Sequence, residues 1–253
     1  MDRKKAFKYY FGCEPDIFPG SVLVTPFISP KRFKDHCSSS AEFRGMLYSG
    51  FIAKKGEKST AVVNCGMGDR LMGDAVLLLG ETRMERLVFA GACGGLGSSA
   101  IGDLIVCSGA FPGEGFSRYA EKPFDIDDIL RFGEIVPASV PETSKLLDFA
   151  LKESVDASII RKGSVFTIGS LVAEDRDTLD RVKDGGFSGI DIELSAVLKA
   201  AENIGCRASA MVFVSDLPAE KPLWEPLSAE EKTRYNKGVS ELVRLSVGSS
   251  LSY

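Results

Sequence analysis

Short hydrophobic runs alternate with longer segments that place a hydrophobic residue every three or four positions. The runs are typical of strands buried on both faces, and they span Val22–Phe27, Thr60–Cys65, Arg86–Ala92, Leu104–Ser108, Ser164–Ile168 and Arg207–Val214. Helical spacing predicts helices at Leu71–Gly80, Glu142–Leu151, Asp175–Asp184, Glu193–Ile204 and Ala229–Ser246. A hairpin is predicted for Phe51–Lys54 and Lys58–Val63.

This alternation predicts an α/β fold with a central, mostly parallel or mixed β-sheet. We expect a single domain over residues 1–253, arranged as a three-layer sandwich in which helices flank the sheet, because no linker, repeat or low-complexity segment interrupts the pattern. The least regular stretch runs roughly from Phe111 to Pro141. A loop of that length is usually functional or partly helical, and whether it closes over a ligand stays open.

The helix predicted at Glu193–Ile204 has the clearest boundaries. Its hydrophobic face falls at i, i+3, i+4 and i+7, at Leu194, Val197, Leu198 and Ala201. Asp191 is a plausible N-cap for this helix, and Gly205 is a natural stop after it.

Composition narrows the classes of function. The 253 residues are 44% hydrophobic and carry a net charge of −4, without the basic face that nucleic-acid binding requires. The hydrophobic runs are far too short to span a membrane, and no signal peptide is expected at the N-terminus. Six cysteines without C-x-x-C spacing and a single histidine, His36, argue against a zinc site and indicate free thiols of a reducing, cytoplasmic compartment. A Ser-His-Asp hydrolase would depend on His36, and no Gly-x-Ser-x-Gly segment exists to partner it.

Glycine clusters follow two of the predicted strands, at Gly66–Gly68 and Gly91–Gly97. Gly94 and Gly95 would let the backbone approach a ligand and form an anion-binding nest, or they would simply make a tight turn. The stretch from Gly95 to Ala100 matches a dinucleotide-binding pattern, but it leads into a predicted strand instead of the required helix. A nicotinamide or P-loop site is therefore disfavoured.

Two carboxylates lie at the ends of neighbouring elements: Glu193 at the start of a helix and Asp216 just past a strand. This placement suggests a cleft. Taken alone, Glu193 is explained by the helix dipole and Asp216 by the turn before Pro218.

Several segments, in order, resemble the nucleoside phosphorylase family of bacterial purine nucleoside phosphorylase, uridine phosphorylase and methylthioadenosine nucleosidase. They are Arg44–Leu47 with Asn64–Gly68, Phe89–Leu96 with Ile101–Val106, Glu114–Tyr119, Val165–Leu171, and Asp191–Glu193 with Ser215–Asp216. The resemblance extends from about Val22 to Asn236 and implies a pentosyltransferase of nucleoside metabolism that cleaves an N-glycosidic bond.

The resemblance also implies site roles. Asp216, with a pKa raised by burial, would protonate the leaving base, whereas Glu193, ionised, would accept hydrogen bonds from ribose hydroxyls. Further substrate contacts would come from Asp191, Ile192, Leu171, Val172, Cys93 and Gly94. Phosphate, a co-substrate, would be held by Arg32, Arg44, Gly91 and Ala92, without a cofactor or metal. Arg44 would complete the site of a neighbouring subunit in a dimer or hexamer.

Departures from the family pattern leave alternatives open. Phe89 stands where phosphorolytic members usually carry arginine, and Ala92 stands where they carry Ser or Thr. The sequence favours phosphate slightly over water as the acceptor. The alternatives are a nucleosidase that uses water and a binding protein without activity. Because Leu171 or Val172 occupies the usual base-stacking position, purine and pyrimidine bases both stay possible.

Overall fold

The computed structural model describes residues 2–113, 115 and 134–252, which form a mixed α/β fold. The strands are β1 (Ser21–Thr25), β2 (Ser38–Arg44), β3 (Ser49–Lys55), β4 (Lys58–Asn64), β5 (Arg86–Gly95), β6 (Leu104–Gly113), β7 (Val136–Pro137), β8 (Ile160–Ile168), β9 (Gly189–Asp191) and β10 (Arg207–Asp216). The helices are α1 (Arg3–Phe11), α2 (Pro30–Lys34), α3 (Asp69–Leu79), α4 (Val140–Glu153), α5 (Arg176–Asp184), α6 (Leu194–Asn203) and α7 (Ala229–Ser250).

All ten strands belong to one mixed sheet with the order β10-β6-β8-β9-β5-β1-β4-β3-β2, and β7 pairs with β6. An additional parallel pairing between β10 and β5 joins two distant members of this order. The pairings β5–β10, β10–β6, β6–β8, β8–β9 and β9–β5 therefore close a ring of strands at one end of the sheet. The other end is the open hairpin edge of β2, β3 and β4.

Helices cover both faces of the sheet, as the sequence predicts. In β1, Val22 and Val24 pack into a core that includes side chains of α1, α3 and α6, whereas Leu23 packs into a second core with side chains of α4 and α7. Alternate residues of a strand point to opposite faces, so the two cores lie on opposite sides of the sheet. The three-layer arrangement is confirmed.

The helix α6 matches the predicted Glu193–Ile204 to within one residue at each end, because Glu193 and Ile204 are its two cap residues. Its stripe of Leu194, Val197, Leu198 and Ala201 is buried, and burial of a Leu or Val side chain stabilises a fold by about 1.5–3 kcal/mol. The chain leaves the helix at Gly205, which adopts a φ of 70°. Only glycine takes this left-handed conformation without cost, so the predicted stop is confirmed.

Some elements were not expected from the sequence pattern: α1, α2, β2, β7 and β9. The strand β2 pairs with β3 at the edge of the sheet, and an edge strand need not contain the buried hydrophobic run that marks a strand in the sequence. The strand β9 is three residues long, too short to show a periodicity.

The irregular region from Phe111 to Pro141 contains part of the sheet. Strand β6 continues to Gly113, and β7 pairs with it at Val136 and Pro137. The segment Glu114–Tyr119, which resembles uridine-phosphorylase-like proteins, lies outside the described residues except for Gly115, as does the stretch 120–133. In the described residues, no helix is long and apolar enough to cross a membrane.

Candidate active site

A cavity of about 250 Å³ opens where β5, β9 and β10 meet at the closed ring of the sheet. Most of the residues expected to bind substrate line it: Ala92, Cys93, Gly94, Leu171, Asp191, Ile192, Glu193 and Asp216. The sequence therefore predicts that these residues share one cleft, although they come from four separate segments of the chain.

Asp216 ends β10 beside an irregularity that shifts the pairing register with β5 between Val214 and Asp216. Ser215 Oγ lies 2.7 Å from Asp216 Oδ1 and 3.1 Å from the carbonyl oxygen of Cys93. A hydroxyl has one proton, so Ser215 donates to only one of these two acceptors at a time. Burial raises the pKa of Asp216, and the hydrogen bonds from Ser215 and the Leu223 backbone oppose this shift.

Asp191 holds the entrance of α6 in place. Its Oδ2 accepts hydrogen bonds from the backbone N–H groups of Glu193 (3.2 Å) and Leu194 (2.7 Å), and its Oδ1 accepts one from Thr167 Oγ1 at 2.7 Å. Glu193 occupies the N-cap position itself, but the capping hydrogen bonds come from Asp191, the predicted cap. Thr167 Oγ1 in turn accepts from the N–H of Ser195 at 3.0 Å, so β8, β9 and α6 are joined through one buried carboxylate.

Glu193 is buried beside Asp191, and its Oε1 accepts a hydrogen bond from the N–H of Gly68 at 2.8 Å. Burial, followed by the charge of Asp191, raises the pKa of Glu193, while the N–H groups of Gly68 and Ile192 oppose the rise. The sequence-based expectation of an ionised carboxylate is not met by these surroundings. A protonated Glu193 would still offer one donor and one acceptor to a ligand hydroxyl.

Gly94 and Gly95 do not form the nest that their spacing allows. Both lie within β5 and pair with β9, and neither has a positive φ. A Cβ at Gly94 would lie 2.3 Å from Cγ of Pro218, and one at Gly95 would lie 2.6 Å from Val214. Glycine is needed at both positions because Pro218 and Val214 pack directly against the backbone of β5 and leave no room for a side chain. The two residues pair with β9 as part of the sheet instead of forming an anion-binding turn.

The remaining expected residues do not line the cavity. Val172 is 93% exposed, Arg32 is exposed, and Arg44 lines a separate groove with Lys31, Met46 and neighbouring residues. At Gly91, a Cβ would lie 2.6 Å from the ring of Phe89, which is fully buried in the core. The position where phosphorolytic members usually carry arginine is therefore a core position here.

Glu174 lines the cavity and has no counterpart in the sequence-based prediction. It follows the short 3₁₀ helix Leu171–Ala173, which has too few residues to show a periodicity. Burial, and then the charge of Asp216, raises the pKa of Glu174 to about 7. Phe27, Met67, Leu223 and Tyr235 also line the cavity without having been predicted.

The polar side chains of the cavity are mostly acidic. Glu174, Asp191, Glu193 and Asp216 line it, whereas none of the lining residues that the structure describes is Lys, Arg or His. Within the described ranges, no group of His, Cys, Asp and Glu has an arrangement that could hold a metal ion.

Comparison with known sequences identifies the family to which the chain is similar. The sequence profile of the phosphorylase superfamily matches residues 25–247. The purine nucleoside phosphorylase DeoD-type of Shewanella baltica is 26% identical over 226 residues, covering 88% of this chain and 89% of the relative. That of Shewanella denitrificans is 25% identical over 205 residues, covering 80% and 81% of the two chains.

Solved structures share the fold. The uridine phosphorylase of Vibrio fischeri, crystallised with 6-hydroxy-1-naphthoic acid, superimposes with a TM-score of 0.71 at 21% identity and covers 92% of this chain and 90% of its own. The AMP nucleosidase of Bacteroides thetaiotaomicron gives a TM-score of 0.67 at 19% identity, with 95% and 94% coverage. At these identities the likeness concerns the fold alone.

Proposed function

The chain belongs to the phosphorylase superfamily, and from this premise we propose that it cleaves the N-glycosidic bond of a nucleoside. The observation that carries the proposal is the pair of buried acids, Glu193 and Asp216, that face one cavity from α6 and β10. In glycosidic cleavage the sugar becomes oxocarbenium-like while the base departs with negative charge, and a protonated carboxyl stabilises that base.

Asp216 acts as the acid to the leaving base. Its pKa, raised by burial, favours a protonated carboxyl that can give its proton to the base. Glu193 binds the ribose hydroxyls, and its hydrogen bond with the N–H of Gly68 holds its side chain in place. Asp191, Ile192, Leu171, Cys93 and Gly94 complete the walls.

Phosphate is the first candidate for the acceptor, because the curated relatives quoted above are named phosphorylases. No basic side chain among the described lining residues would hold it, so a neighbouring subunit would have to supply Arg44. We propose that the protein assembles into a homo-oligomer for this reason.

Water is the second candidate, and the lining of the cavity favours it. A dianion placed among carboxyl groups without a cation nearby would be strongly disfavoured, whereas water requires no counter-charge. Hydrolysis would also proceed in a single subunit, without Arg44.

Base release from a panel of purine and pyrimidine nucleosides, with and without phosphate, tests the proposal. Release that depends on phosphate and yields a sugar 1-phosphate supports the first acceptor, and equal rates with free ribose as product support the second. Absence of release from every nucleoside contradicts the proposed function.

The substitution Asp216→Asn removes the acid while preserving the size of the side chain. We expect kcat to fall by roughly 10²–10⁴-fold, the usual contribution of a general acid. Asp184→Asn is the matched control, because Asp184 is an exposed residue of α5 outside the cavity. If the kcat of Asp216→Asn stayed within roughly two- to threefold of the control value, Asp216 would be excluded as the acid.

A further inference from the structure

The base end of the cavity contains a second carboxyl that the proposed function does not use. Glu174 lies beside Asp216, close enough for the charge of Asp216 to contribute to its raised pKa. In the part of the chain that the structure describes, no hydrogen bond or ion pair engages the Glu174 carboxyl. The same cavity is also lined by apolar side chains, among them Leu171, Pro218 and Leu223.

A half-buried carboxyl without a hydrogen-bond partner has lost part of its hydration and received nothing from the protein in return. A ligand that donates a hydrogen bond there would compensate for that loss. The described lining residues offer no Asn, Gln, Lys, Arg or His, so donors for an oxo group come only from backbone, hydroxyl, thiol or protonated carboxyl groups.

We propose that Glu174 is a specificity-determining residue that accepts a hydrogen bond from an exocyclic amino group of the base. The inference rests on the proposed function, since it assigns the base end of the same cavity. The site then selects amino-bearing bases over oxo-bearing bases: Asp216 gives its proton to a ring nitrogen, and the Glu174 carboxylate receives the neighbouring amino N–H. An oxo group at that position would face the Glu174 carboxylate, and because both groups only accept hydrogen bonds, they would repel each other.

Ionisation of Glu174 makes the selectivity depend on pH. The ionised carboxylate accepts from an amino group, whereas the protonated form also donates to an oxo group. The preference for the amino base therefore rises as the pH increases through about 7, the pKa of Glu174. Other titratable groups facing the cavity are Cys93, Asp191, Glu193, Asp216 and Tyr235, and the exposed Asp175 and Arg176 follow Glu174 along the chain.

The test compares two matched pairs, adenosine with inosine and cytidine with uridine, by the ratio of their kcat/KM values. Ionisation of Asp216 or Glu193 affects both members of a pair, so the ratio isolates the group that distinguishes amino from oxo. We expect the ratio for the accepted ring class to favour the amino base by about tenfold or more at pH 8 and to decline towards pH 6.

Glu174→Gln keeps the shape of the side chain and replaces the ionising group with an amide that donates and accepts at every pH. We expect the ratio to fall about tenfold at pH 8 and to lose its pH dependence. Glu220→Gln is the control, because Glu220 is exposed and lies outside the cavity. Glu174→Asp, which retains the charge, should retain the pH dependence even if its overall rate falls.

Binding of the free bases separates this inference from the proposed function. Adenine, hypoxanthine, cytosine and uracil are titrated by calorimetry into the wild-type protein and the Glu174→Gln variant. Turnover or base binding with no amino preference, or with a preference that Glu174→Gln leaves unchanged, overturns the role of Glu174 alone. Neither turnover nor binding of any base overturns the proposed function together with the inference.

Discussion

Glu174, Glu193 and Asp216 lose hydration when the chain folds, and burial is the largest cause of the raised pKa of each. A carboxyl with a raised pKa in the folded state keeps its proton over a range in which the unfolded chain has released it. Its contribution to stability is fully present below the unfolded pKa and is lost as the pH rises through the folded pKa. The acids that serve the site therefore make the fold less stable at higher pH.

The free energy of unfolding should decrease between pH 4.5 and about 7 because of Glu174, whose pKa rises from 4.5 to about 7. Glu174→Gln removes this ionisation, so the decrease should be smaller in the variant. Denaturant unfolding at pH 5 and pH 8 measures the difference, with Glu220→Gln as the control. The same decrease in both variants would show that Glu174 ionises normally.

Replacing Gly94 or Gly73 with alanine should change the free energy of unfolding in opposite directions. A Cβ at Gly94 meets Pro218 at 2.3 Å, whereas a Cβ at Gly73 in α3 has its nearest neighbour, Ala196, at 3.8 Å. Gly94→Ala should lower the free energy of unfolding by about 1–3 kcal/mol through overpacking, and Gly73→Ala should raise it by about 0.5–1 kcal/mol. Thermal unfolding of the two variants checks the signs, and a stabilising Gly94→Ala would contradict the close packing of Pro218 on β5.

Among the elements, α6 is predicted most fully, because its hydrophobic stripe, cap and stop are all local in sequence. The sequence pattern does not predict the hydrogen bond between Asp191 and Thr167 of β8, which links the start of α6 to the sheet. Nor does it predict the pairing of β9 with β5. The run of glycines is typical of a turn, but in the structure Gly94 pairs with Ile190 and belongs to a strand.

The capping role of Asp191 can be compared with that of Asp175, the N-cap of α5, whose side chain accepts from the N–H of Thr178 at 2.8 Å. Asp175 is exposed, so Asp175→Ala should cost about 1 kcal/mol, the usual value for a cap. Asp191 is buried and serves three donors, so Asp191→Ala should cost about 2 kcal/mol or more. Equal losses of unfolding free energy in the two variants would show that solvent reaches the entrance of α6.

At the scale of the whole molecule, the phosphate-binding role proposed for Arg44 depends on assembly. Arg44 is exposed beside Met46 and Leu47, which are 66% and 47% exposed, on a surface away from the cavity of its own subunit. If this arginine binds phosphate, it does so in a neighbouring subunit, and the active species is an oligomer.

Mixing two inactive variants tests this arrangement. Arg44→Ala and Asp216→Asn should each abolish phosphate-dependent cleavage, but a mixed oligomer contains sites with an intact Asp216 from one subunit and an intact Arg44 from the other. Random mixing in a dimer should restore roughly a quarter of the wild-type sites. Sedimentation establishes the assembly. No recovery in a mixed oligomer, or full activity of Arg44→Ala alone, would contradict the shared site.

The sequence by itself determined the layered α/β architecture, the hairpin, the boundaries of α6 and the cleft acids Glu193 and Asp216. These features follow from hydrophobic periodicity, capping residues and the order of short motifs, all of which act over a few residues. Only the tertiary structure decided that the strands close into a ring, that Glu174 joins Asp216 in the cavity, and that Arg32 and Arg44 lie outside it. The physical reason is that these relations depend on pairing and packing between segments far apart in the chain.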